Sequence, residues 1–250
     1  MIALMYHDVV AAGNEDQSGF PGPSAASYKV TPERFGQHLH AIHPEPSSTD
    51  LVITFDDGGA SASEAADILE AHEMRGCFLV ATNFIGTSGF VTGTVLRDLH
   101  ERGHLIGSHS CSHPFRMGHC PRALLDNEWQ RSCAVLADHL GESIHVASIP
   151  GGDYSPVVAE AAAEAGIKTL FTSEPTARAF RVGGTLVRGR FTIRSWTSAR
   201  TAAALASGRP LAHASQALSW NVRKAIKEVG GNAYLEVRRR IMGDAKPMAS

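Results

Sequence analysis

The chain lacks the cysteine pattern of a disulfide scaffold or a zinc finger. Its four cysteines, Cys77, Cys111, Cys120 and Cys133, form no CxxC pair and match no finger spacing. Cys77 falls in an apolar run and reads as core. Cys111 and Cys120 flank His113 and are open either to pairing or to staying free, with reduced thiols the default expectation. The chain also lacks a long apolar run, so no membrane-spanning helix of roughly 20 residues is expected. The first residues, Met-Ile-Ala-Leu-Met-Tyr-His-Asp, have neither a basic segment nor an extended apolar one, and a cytoplasmic chain is expected. Charge of one sign is missing too. The net charge is −2, which gives no electrostatic reason to bind nucleic acid or an anionic membrane. Arg238, Arg239 and Arg240 form the one basic cluster, read as the polar face of a terminal helix. Internal repeats and a credible interdomain linker are absent.

What is present is an ordinary globular composition. Hydrophobic residues make up 43% of 250 residues and charged residues 19%, enough to bury a core without disulfide staples. Short apolar runs at 2–6, 51–55, 76–80, 105–106, 146–149 and 167–172 read as strands. Helical patterns lie between them: one starts at Thr31-Pro32-Glu33 and stops at Pro44 and Pro46, and others cover 63–72, 95–102, 121–140 and 157–165. Alternating strands and helices point to parallel β/α units. Residues 195–242 read as mainly helical. The expected organisation is a β/α unit over 1–194 followed by a helical C-terminal extension, 195–250, that packs on it or mediates association.

The polar residues with chemical capability follow strands, where α/β barrels build their active-site rim. Asp56 and Asp57 end the second strand, and adjacent residues of an extended chain point to opposite sides, so the two carboxylates can do different jobs. Asp-Asp-Gly is also ordinary turn chemistry. His109 and His113 stand four apart, placing two imidazoles on one side of a tight loop; with one carboxylate they make a common catalytic zinc set. Equally, the chain has 13 histidines, and chance pairs such as His100 and His104 occur.

Together these residues carry a resemblance. Thr54-Phe55-Asp56-Asp57-Gly58 resembles the first motif of the polysaccharide deacetylases (NodB homology domain, carbohydrate esterase family 4), and Ser108 to His113 resembles the second. The resemblance implies a distorted (β/α) barrel that removes an N-acetyl group from an amino sugar. It implies that Asp57, His109 and His113 hold one divalent metal ion, expected to be zinc, and that Asp56 is the general base. Pro150, Gly151 and Gly152 correspond to the oxyanion segment. Two positions depart from the pattern. Ser148 stands where the third motif carries an arginine, and Arg188 or Arg190, after a late strand, is the expected replacement. The fifth motif, Leu-x-His, matches only Leu211-Ala212-His213, which has no strand before it. Leu4-Met5-Tyr6-His7-Asp8 resembles that strand moved to the front, as in the circularly permuted poly-N-acetylglucosamine deacetylase branch, and His7 is the expected general acid. An amidase acting on a small cyclic amide, or a non-catalytic sugar-binding module, are the alternatives. An N-acetylated sugar is the expected partner, without nucleic acid.

Overall fold

A computed structural model of the chain describes residues 1–42 and 51–222. Pro44, Pro46 and the cluster Arg238, Arg239 and Arg240 lie outside the described residues, as does 223–250 of the expected extension.

Among the described residues nine strands form one sheet: β1 (Ile2–Tyr6), β2 (Leu51–Phe55), β3 (Gly76–Val80), β4 (Leu105–Ser108), β5 (Val146–Ser148), β6 (Thr169–Phe171), β7 (Ala179–Val182), β8 (Thr185–Arg188) and β9 (Phe191–Thr192). Their order is β7-β8-β6-β5-β4-β3-β2-β1-β9, and every pairing is parallel except β7 with β8. The helices are α1 (Pro23–Ala26), α2 (Pro32–Ile42), α3 (Ala62–Ala71), α4 (Gly93–Glu101), α5 (Arg122–Leu140), α6 (Pro156–Glu164) and α7 (Ala199–Ala206). Their starts are locally encoded. Thr92, Ser155 and Ser198 cap α4, α6 and α7 by accepting the N–H three residues on.

The connection from β8 to β9 shows how far the sheet curls. β8 pairs with β6 near one end of the order and β9 pairs with β1 at the other, yet only Gly189 and Arg190 separate them. Two residues span at most about 10 Å, so the ends of the sheet meet in a distorted barrel. The exposed backbone of β9 is covered by residues 210–222, which are helical: the Gln216 amide accepts from Thr192 N–H and donates to Thr192 C=O, both at 2.8 Å. No helix among the described residues is long and apolar enough to cross a membrane.

Strand alternation divides the core into layers. Leu4, Tyr6, Ile53, Phe55, Phe78 and Val80 face outward onto α2, α3, α4 and α7. Ala147, Leu170 and Val187 face α5 and α6 around Trp129. Ala3, Cys77, Leu79 and Phe171 fill the barrel interior. Each buried aromatic side chain contributes roughly 2–3 kcal/mol of transfer free energy, so layers of this size fix the strand ends firmly in place.

Candidate active site

The first six strands end at one rim. Tyr6 is level with Phe55, Phe55 with Phe78, and Ser148 with Phe171. The residues that follow, His7, Asp56, Asp57 and His109, therefore converge. Asp57 does not continue the strand: its φ is 75°, and the chain turns there into Gly58 at φ 81°. The separation of Asp56 from Asp57 thus comes from a left-handed turn, and not from the simple alternation expected of an extended chain. A non-glycine residue in this region costs of order 1 kcal/mol and persists where the surroundings enforce it.

Asp57 Oδ1 lies 3.3 Å from His109 Nε2 and 3.3 Å from His113 Nε2. The three ligand-type atoms fall within 4.8 Å of one another. Ligands about 2.0–2.1 Å from a tetrahedral ion stand roughly 3.3–3.4 Å apart, so this spacing suits a small divalent cation with one position left open. The donor set, two imidazoles and one carboxylate, fits it as well. His109 is oriented by its other ring nitrogen. Nδ1 sits 2.6 Å from Ser148 Oγ and 3.1 Å from Ser148 O. Ser148 Oγ donates in turn to Asp56 Oδ1 at 3.0 Å, so its lone pair accepts from His109 Nδ1–H. In the neutral ring this fixes the tautomer and turns the Nε2 lone pair toward Asp57; in the protonated ring Nε2–H donates to Asp57 instead.

The segment carrying His113 is a strained loop, with Ser110 at φ 64° and His113 at φ 55°. A buried carboxylate that the sequence reading missed holds it. Glu128, on α5, accepts from Cys111 N–H (2.8 Å), Ser112 N–H (2.9 Å) and Ser112 Oγ (2.7 Å). Cys111 and Cys120 do not pair, and all four cysteines are free.

Asp56 is gripped by Arg190, fully buried at the barrel seam. Nη1 donates to Asp56 Oδ1 at 2.6 Å and Nη2 to Oδ2 at 2.7 Å; Nε donates to Thr172 O at 3.0 Å and Nη1 also to Thr54 Oγ1 at 2.9 Å. Arg190, and not Arg188, is therefore the charge beside Asp56. Burial raises the Asp56 pKa most strongly of any one cause, but the Arg190 charge and hydrogen bonds, joined by His109 and His7, together outweigh it and hold the carboxyl below its ordinary value. Asp57 lies well below its ordinary value, its own burial overcome by hydrogen bonds from His109 and His113. For His109, burial is overcome by Asp56 and Asp57, and its pKa is raised.

His7 packs on Tyr28 at 4.6 Å between ring centroids. Burial lowers its pKa against the pull of Asp57, Asp56 and Asp8, which places it in the same electrostatic neighbourhood. Its Nδ1 is buried with no protein partner among the described residues. His213 lies elsewhere, stacked on Phe191 at 3.8 Å with Nε2 bonded to Leu205 O at 2.9 Å. His104 is tied to Glu70 and the Gly76 N–H, outside the site. In the oxyanion segment Pro150 has no N–H and the Gly152 N–H donates to Ile149 O at 3.0 Å. Of the three residues expected there, only Gly151 has an N–H left without a backbone acceptor.

A sequence model of the polysaccharide deacetylase family matches residues 43–170, half of the chain. The chain belongs to that family. The family's chemistry is the N-deacetylation of sugar polymers. The Bacillus subtilis (strain 168) protein YxkH, a proposed polysaccharide deacetylase, is 23% identical over 194 residues, covering 70% of this chain and 64% of that protein. An uncharacterised 30.6 kDa protein of Geobacillus stearothermophilus is 29% identical over 72 residues, 28% of this chain and 26% of its own length. The chain thus spans less than two thirds of either relative. Among solved structures, the Streptococcus pyogenes deacetylase PplD in complex with acetate superposes with a TM-score of 0.69 at 19% identity, covering 84% of this chain and 98% of PplD. IcaB from Ammonifex degensii gives 0.66 at 20% identity, covering 82% and 96%. At such identities the likeness is one of fold, the distorted barrel described above.

Proposed function

We propose that this polysaccharide deacetylase family member is a metal-dependent hydrolase that removes the acetyl group from an N-acetylated amino sugar. The observation that carries the reading is the continuous relay from Arg190 through Asp56 and Ser148 to His109, joined to the Asp57, His109 and His113 cluster. Asp57, His109 and His113 would hold one divalent ion, proposed to be zinc. When bound, the ion supplies Lewis acidity, lowering the pKa of water and polarising the acetamide carbonyl.

Asp56 is the proposed base. Arg190 and Ser148 occupy Oδ1, and Arg190 takes one site on Oδ2, which leaves an Oδ2 lone pair free to take a proton from the attacking water. Its depressed pKa keeps it ionised across the neutral range. The water oxygen bonds to the acetyl carbon, the Gly151 N–H faces the developing oxyanion, and the C–N bond breaks as the amine takes a proton from His7. Acetate and a free amino sugar result. The permuted arrangement expected from the sequence belongs to the same proposal: β1, which His7 follows directly, lies between β2 and β9. So does the division into 1–194 and 195–250.

The test is acetate release from N-acetylglucosamine oligomers by zinc-loaded protein, with Asp56→Asn alongside. The expected result is turnover that Asp56→Asn lowers about 10²–10⁴-fold at unchanged metal content. Release from a cyclic amide and from no sugar would move the assignment to an amidase, and binding without turnover would move it to a sugar-binding module.

A further inference from the structure

The turn after β9 presents a tryptophan for which the catalytic chemistry has no use. Ile193 N–H bonds Met5 O, so β9 runs on beside β1 and delivers Arg194 to the rim where His7 lies. The chain then turns: Thr197 N–H bonds Arg194 O at 2.9 Å and Arg194 N–H bonds Thr197 Oγ1 at 2.9 Å. Trp196, inside that turn, is 66% exposed.

The turn is fastened on every side. Ser195 N–H bonds Ser27 O at 3.0 Å, Arg34 donates to Ser195 O, and His38 Nε2 lies 2.9 Å from Thr197 O. Arg34 and His38 both project from α2. A surface loop with no task is not expected to hold an exposed indole through so many anchors.

The rings also form a ladder. His7 lies 4.6 Å from the Tyr28 ring, the Arg194 guanidinium lies 3.7 Å from the Tyr28 centroid, and it lies 5.7 Å from the Trp196 centroid. Arg194 also donates to Ser27 Oγ at 2.9 Å, which locks the guanidinium plane between the two aromatic rings. The ladder starts at the proposed proton donor and ends at an exposed aromatic face a few ring widths away.

We infer that Trp196 is the stacking floor of a glycan subsite, taking the apolar C–H face of a sugar ring one or two units from the N-acetyl group that reacts. The subsite rests on the deacetylase reading above and adds where a neighbouring sugar unit of a polymer substrate is held. Aromatic faces take up the C–H face of pyranose rings because the ring offers area with little conformational entropy to lose. Arg194 and Tyr28 are positioning residues for it.

The test uses two readouts on zinc-loaded full-length chain. The first is kcat/KM for acetate release from N-acetylglucosamine and its oligomers of two to five units. The second is calorimetric binding of the same oligomers to Asp56→Asn protein, which needs no turnover. Wild-type affinity is expected to rise with chain length up to three or four units. Trp196→Ala is expected to lose about tenfold on the tetramer and less than about twofold on the monosaccharide, while Trp196→Phe keeps most of the gain. An equal loss at every length, or no loss on the tetramer, overturns the subsite. Absence of acetate release from any wild-type incubation overturns the deacetylase reading instead, and the binding series still decides on Trp196.

Discussion

Replacing Arg190 with methionine separates the two things its guanidinium does. The side chain is fully buried and makes four hydrogen bonds, two of them to the carboxylate of Asp56. Methionine fills a comparable volume, so the variant loses charge and donors more than packing. Asp56 is then left with Ser148 Oγ–H as its donor, in a site almost closed to water. Removing one partner of a buried ion pair costs about 3–5 kcal/mol, which for a chain of this size is roughly 6–20 °C in Tm. In the wild type the Asp56 pKa is depressed, so its contribution to stability is present above the unfolded-state carboxylate pKa and is lost as pH falls through the folded value. In the variant, burial acts unopposed and the carboxyl keeps its proton to higher pH. The destabilisation should therefore be largest at alkaline pH and shrink on acidification, because a neutral Asp56 no longer misses the cation. Activity should follow the same titration: the acid limb of kcat/KM moves to higher pH, with a tenfold loss per unit on the limb. Arg190→Lys, which keeps the charge without the fork, should fall between the two. Denaturant unfolding at several pH values with a pH–rate profile is the assay. An acid limb at the wild-type position, together with a pH-independent penalty, would refute the claim that Arg190 sets the protonation of Asp56.

Two further outcomes follow from the site. Asp57→Ala and His109→Ala should each reduce bound divalent metal, measured by elemental analysis after dialysis; full metal content in either variant would remove that residue from the ligand set. His7→Ala should lower turnover by more than about tenfold while leaving metal content intact, whereas His213→Ala, which loses a ring stacked on Phe191, should lower the melting temperature and spare kcat. The reverse pattern would hand the role of acid to His213.

The strands that build the rim were legible because each is a short apolar run ending in a polar or glycine residue, and β1 through β6 fall within a residue or two of where those runs lie. The last three strands were not resolved as a set. β7 and β8 form a hairpin around Gly183 and Gly184, β9 has two residues, and only Gly189 and Arg190 separate β8 from β9. So compressed a stretch shows one late strand and no more. The sheet's last step, the jump from one end to the other, has no local signature, because it depends on curvature summed over the whole sheet.

The same distinction explains the site. Asp56, Asp57, His109 and His113 were readable because their chemistry is written in local spacing. The charge that holds Asp56 was harder to place, since Ser148 stands at the expected arginine position and Arg190 reaches Asp56 only through the closure of the barrel, 134 residues away in sequence. Ser148 is no empty substitution: a hydroxyl there donates to Asp56 and accepts from His109, which an arginine side chain cannot do. The charge beside Asp56 is thus supplied from the connection between β8 and β9, and the hydroxyl at 148 links the proposed base to a proposed ligand. Glu128 did leave a sequence signal. On α5 the buried positions Leu125, Glu128, Trp129, Ser132 and Leu136 recur at helical spacing, and a carboxylate within that stripe is costly unless it is bonded. Its partners, the N–H groups of Cys111 and Ser112, lie inside the loop that carries His113. A charged residue on an inward helix face therefore points to whatever loop packs over it, and in this chain that loop is the one whose strained backbone aims a proposed ligand.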